Sequence, residues 1–142
     1  MAVISTSNFR RLIGVWKTSG QISSENQVLE LAGTDSYELI LDGKFILHKA
    51  DVTVGNEKSK TFEMISLDET TNKAKMQYFN SKGESGIMTG ELTNNDFKIE
   101  GEGIKFSGMI NSENSTIVGK WYLQTNNKSW KEFIDMKLEK QL

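Results

Sequence analysis

SYELILDGKFILHKADVTV, residues 36–54, consists of two apolar runs joined by Asp42-Gly43. An Asp-Gly pair between alternating hydrophobic segments is the strongest short-range signal of a β-hairpin, because both residues tolerate the positive φ of a tight turn. Pairing across a two-residue turn sets Leu41 against Lys44, Leu39 against Ile46 and Tyr37 against His48, and residues opposed across an antiparallel pair share a face. One face then carries Tyr37, Leu39, Leu41, Ile46, His48, Ala50, Val52 and Val54; the other carries Glu38, Ile40, Phe45, Leu47, Lys49 and Asp51. The first is the more apolar and is predicted to face inward.

Working outward from this hairpin, the same period of two recurs along the chain. Strands are predicted at 12–22, 29–41, 45–54, 60–67, 73–80, 85–93, 97–102, 104–111, 116–125 and 130–138. LDGK, DETTNK, NSKG, TNND and NSEN separate several of them, and their Asn, Asp, Gly and Ser residues suit turns. The chain contains no proline, as expected of a ladder in which every backbone N–H is needed. The fold expected is all-β: a single antiparallel up-and-down β-barrel of about ten strands, one domain over residues 1–142, with SNFRRL forming a short helical turn that plugs one end. The second strand has a competing reading, since Ser24 and Gln27 fit a capping box and Gly33 would suit the end of a short helix. Leu29, Leu31, Gly33, Tyr37, Leu39 and Leu41 share one parity, which favours a long strand bent at glycine. Parity also assigns Phe62, Met64, Ala74, Met76, Tyr78, Phe106, Gly108 and Ile110 to the interior, and Lys49, Glu63, Lys75 and Lys120 to solvent.

Composition narrows the function. A chain of 142 residues buries roughly 68–70% of its unfolded surface without staples. It has no cysteine, which excludes disulfides, thiolate metal sites and cysteine catalysis. The formal charge of −2 is mixed along the sequence and forms no basic stripe, so nucleic acid is not an expected partner. MAVISTSNFRR is too short in its apolar start and has its arginines in the wrong order for a secretory signal, so a cytoplasmic location is expected. No apolar run reaches the length of a membrane-spanning helix. Oligomeric state is not legible in the sequence.

Gly14-Val15-Trp16 and Gly119-Lys120-Trp121 place a glycine two residues before a tryptophan near each end of the chain. A glycine lets a strand coil and lets an indole pack over backbone, and Trp16 is predicted to close the barrel floor. LIGVWKTSG resembles the Gly-x-Trp first strand of the lipocalin-like (calycin) barrels. Taken in order, GTDSYELILDGKFILHKADV, KAKMQYFNSKG, MTGELTNNDFKIEGE and EFIDMKLEK resemble a bacterial lipocalin-like family of unknown function, DUF fifteen-seventy-nine, over nearly the whole chain. The resemblance implies a ten-stranded barrel with an internal pocket and no established activity. The chain is more distantly similar to the haem-binding nitrobindins, which carry a proximal histidine near the C-terminal end. Here that region reads FIDMKLEK and has no histidine, a departure from the nitrobindin pattern that counts against haem, and no cofactor is expected. Lipocalins also lay a basic side chain over the first-strand tryptophan, a place that Lys140 matches by parity.

His48 is the lone histidine, the one side chain whose ordinary pKa lies near neutrality. Facing inward beside Tyr37, it is either a ligand donor or general base, or a core histidine satisfied by a neighbour. One histidine without inward carboxylates nearby offers too few ligands for a metal. Tyr37 and Tyr78 either present hydroxyls to a ligand or fill the core, and Met64, Met76 and Met88 either form an adaptable lining or fill gaps. No nucleophile elbow, phosphate loop or metalloprotease motif is present, so no catalytic residue is assigned. The expected function is non-catalytic binding of a small, mainly apolar ligand by Tyr37, Leu39, His48, Met64, Met76 and Tyr78. The alternatives are an enzyme using His48 as general base, and a packed barrel without a ligand.

Overall fold

The computed structural model describes residues 3–141. Among them, ten strands run in order: β1 (Gly14–Ser24), β2 (Gln27–Ile40), β3 (Phe45–Val54), β4 (Glu57–Leu67), β5 (Ala74–Asn80), β6 (Ser85–Thr93), β7 (Asp96–Gly101), β8 (Ile104–Ile110), β9 (Thr116–Gln124) and β10 (Trp130–Lys140). Each pairs antiparallel with its sequence neighbours, and β10 returns to pair with β1, closing a lipocalin-like up-and-down barrel. Closure leaves no free sheet edge. No described helix is long and apolar enough to cross a membrane.

The β2–β3 hairpin has the expected register, with Tyr37 opposite His48 and Leu39 opposite Ile46. Its turn is longer than expected. The last pair is Ile40 with Phe45, and Leu41, Asp42 and Gly43 take φ values of 51°, 60° and 77°, which rotates Leu41 out of the ladder and leaves it 64% exposed instead of inward. Strand β2 is continuous. Glu25 and Asn26, both at positive φ, make the two-residue turn before it, so Ser24 and Gln27 are partners across a hairpin and not a helix cap. Gly33 is required where β3 crosses closely, because a Cβ there would lie 2.3 Å from the Asp51 carbonyl oxygen.

Strand β4 corrects a parity assignment. Gly55 and Asn56 form a two-residue turn that pairs Val54 with Glu57, and this register carries His48 onto Glu63. The inward residues of β4 are therefore Ser59, Thr61, Glu63 and Ile65. Glu63 is buried, not solvent-facing, whereas Phe62 is 55% exposed and Met64 shares its outward parity. The apolar pair Phe62 and Met64 suggested the wrong face because the interior here is polar.

The floor is built as expected from the short 3₁₀ turns Ile4–Thr6 and Asn8–Leu12, which bury Ile4, Phe9 and Leu12. Trp16 is fully buried above them, and its indole N–H donates to the Leu12 carbonyl at 2.8 Å. The Lys140 ammonium stands 4.8 Å from the Trp16 ring centre and donates to the Arg11 carbonyl at 3.2 Å; its burial lowers the Lys140 pKa. Arg11 ties the floor together by donating to the Asn94 carbonyl, to Asn95 Oδ1 at 2.8 Å and to Asn114 Oδ1 at 2.6 Å. Trp121 does not repeat the floor. Gly119 instead makes room for Phe106, whose ring Trp121 meets at 5.2 Å on the inner wall.

Candidate functional site

Pairing across four strands sets one row of side chains on the inner wall. Tyr37 on β2 lies opposite His48 on β3, His48 opposite Glu63 on β4, and Glu63 opposite Tyr78 on β5. Inward parity on β2 adds Asp35, two residues before Tyr37, and inward parity on β1 adds Thr18. The row therefore follows from the registers of the β2–β3, β3–β4 and β4–β5 hairpins and the period of the strand.

Within it, His48 is held from both sides. Its Nε2 is 2.6 Å from Asp35 Oδ1, and its Nδ1 is 3.0 Å from Glu63 Oε1. Carboxylates only accept, so both ring nitrogens donate and His48 is an imidazolium. Burial alone would lower its pKa; the hydrogen bonds and charges of Asp35 and Glu63 outweigh this and raise it from 6.5 to about 9. The Thr18 hydroxyl donates to Asp35 Oδ2, leaving that carboxylate with both oxygens engaged. Tyr37 stacks flat on the imidazolium, with ring centres 4.0 Å apart and planes within 8°. Burial, then the charges of Asp35 and Glu63, raise the Tyr37 pKa well above its ordinary value and keep it a neutral phenol. Thr18, Asp35 and Glu63 are the buried polar side chains of the described residues, and all three belong to this cluster.

The cluster forms one wall of an internal cavity of about 390 Å³. Aliphatic and aromatic side chains dominate the rest, among them Leu31, Met88, Phe97, Phe106, Trp121 and Met136. The lining runs from Leu138, above the floor, to Ile22, Val54 and Ser59 next to the turns at the opposite end. A groove of about 810 Å³ on the outer side of the floor, lined by Thr6, Asn8, Arg11 and Asn94, is a weaker candidate because its one charged side chain, Arg11, is already engaged by the floor loops.

Of the residues expected from sequence, Tyr37, His48 and Tyr78 line this cavity together. Leu39 and Met76 do not reach it: both pack in the hydrophobic core, with Met76 only 1% exposed. Met64 lies on the outer face, for the register reason given above. Thr18, Asp35 and Glu63 were absent from the sequence-based set. Glu63 was nevertheless legible, since Gly55-Asn56 is a hairpin signal of the same kind as Asp42-Gly43. The expectation that His48 lacks inward carboxylates is likewise overturned.

The geometry constrains the chemistry. A general base needs a free imidazole lone pair, and both His48 nitrogens are donors. Iron ligation needs the same lone pair, so His48, the one histidine of the chain, does not fit as a haem ligand. Asp35 and Glu63 sit on opposite ring nitrogens and do not converge on a point, and the described residues contain no group of three ligands able to hold a metal. In comparisons with known proteins, no family model and no curated protein matches the chain.

Proposed function

We propose that the protein binds a small, mainly apolar molecule inside the barrel, without catalysis, and that it is a lipocalin-like protein of the family its ordered motifs resemble. One observation carries the binding reading: a cavity of about 390 Å³ whose mainly apolar walls hold a charged, hydrogen-bonded cluster, Thr18, Asp35, His48 and Glu63. Ligand pockets have this composition, an apolar body with a few placed polar groups, and this volume lies within their usual range. The cavity counts against a fully packed structural barrel. The doubly donating His48 counts against an enzyme with that residue as base.

The test is uptake of an environment-sensitive apolar dye. It should brighten with a stoichiometry of about 1:1, and Met88→Trp, which fills the cavity from its wall, should suppress the signal while the far-ultraviolet spectrum is unchanged. Met76→Trp is the contrast, because it overpacks the closed core and should cost about 1–3 kcal/mol of stability. A folded wild-type protein that ignores a broad panel of apolar dyes would refute the binding reading.

A further inference from the structure

The charges that reach the cavity are unbalanced. Its lining includes two carboxylates, Asp35 and Glu63, and one cation, His48, with no lysine or arginine among the described lining residues. With His48 donating through both nitrogens, the cluster keeps a net charge of −1 in a mainly apolar space. The acceptors are also unevenly used. Asp35 has both oxygens engaged, whereas Glu63 receives His48 at Oε1 and its Oε2 has no hydrogen-bond partner among the described residues. That oxygen is not sealed in the core, since no fully enclosed side-chain oxygen or nitrogen of the described residues lacks a partner. The Tyr37 hydroxyl is in the same position: the residue is 7% exposed, lines the cavity and has no partner for its O–H among the described residues. A carboxylate oxygen and a phenol without partners in a buried wall are groups that a ligand can satisfy.

The opposite walls carry Phe97, Phe106 and Trp121, apolar rings against which the body of a ligand can pack. An anionic head group would meet the −1 cluster with no free donor cation to receive it, because the His48 protons are already held. At about 30 Å³ for each water-sized group, the cavity admits a molecule of roughly a dozen heavy atoms. From this balance we infer that the ligand is an apolar molecule bearing a protonated amine, its ammonium group bound at Glu63 Oε2 and its body against the aromatic wall. The inference rests on the binding reading above and narrows it: fatty acids and other apolar carboxylates are excluded as ligands.

The test uses three probes of one shape and three charges: 4-phenylbutylamine, 4-phenylbutanol and 4-phenylbutyrate. They are titrated into the full chain at pH 7 by calorimetry, where the amine is protonated and the acid ionised. The amine should bind at least about tenfold more tightly than the alcohol, with the acid weakest. Glu63→Gln retains an oxygen for the His48 Nδ1–H and removes the charge, so the preference for amine over alcohol should fall to about threefold or less. The wild-type series decides the question even if that variant folds poorly. Tight binding of the alcohol or the acid with no advantage for the amine overturns this inference and leaves the binding reading standing. No binding by any of the three overturns this inference, and together with no dye uptake it overturns both.

Discussion

The raised pKa of His48 makes stability depend on pH in a window where few other groups titrate. In the native protein the imidazolium faces Asp35 and Glu63 through its two nitrogens and Tyr37 across its ring face. Its pKa of about 9, against 6.5 in the unfolded chain, corresponds to about 3 kcal/mol of preference for the charged form, and the side chain is only 15% exposed, so solvent screens little of it. The sign follows from proton binding. Below pH 6.5 both states hold the proton and the contribution is complete. Between 6.5 and 9 the native state binds more protons than the unfolded one, so stability falls as pH rises, and the contribution is lost above 9. Thermal denaturation at pH 6.5, 7.5, 8.5 and 9.5 should record this loss as a fall of about 10 °C in Tm for a domain of this size. Going no higher than pH 9.5 keeps Tyr37 and Lys120, whose pKa values are raised above ordinary values of 10 and 10.5, out of the window. His48→Gln, less stable overall, should lose the slope. A wild-type stability that is flat across this window, or an equal slope in His48→Gln, would refute the imidazolium assignment.

Three further outcomes are expected. Trp16→Ala empties the fully buried floor position and should cost about 3–5 kcal/mol by denaturant midpoint, whereas Lys17→Ala, on the exposed parity, should cost under about 0.5 kcal/mol; similar midpoints would show that the first strand is assigned to the wrong face. Gly33→Ala drives a methyl group into the Asp51 carbonyl and the Val52 Cα, backbone atoms that cannot turn aside, and should destabilise by more than about 2 kcal/mol; a neutral result would mean that β2 and β3 do not approach this closely. Haemin titration should give no stoichiometric Soret shift, because both His48 nitrogens are donors; a sharp 1:1 shift abolished by His48→Ala would overturn that geometry.

Much of the barrel is determined locally, and such features were legible. Alternation places Trp16, Ala74, Met76, Phe106, Ile110 and Ile117 inside whatever the neighbouring strands are, because each strand must bury its own apolar face. Asp42-Gly43 carried the register from Tyr37 to His48 even though the turn proved longer, since lengthening it symmetrically keeps the same partners. Strand β4 carries two conflicting local signals: the apolar pair Phe62 and Met64 points to one face as interior, whereas the Gly55-Asn56 turn carries His48 onto Glu63 and sets the polar Ser59, Thr61 and Glu63 inside. A buried carboxylate is stable only with its partner, and that partner is fifteen residues away in sequence and adjacent only across the ladder. The sequence by itself therefore determined the strands, the floor under Trp16 and the pairing of Tyr37 with His48. Tertiary structure alone decided that Asp35 and Glu63 close on the two sides of one imidazole, because that contact joins three strands and the charge of each group depends on the other two.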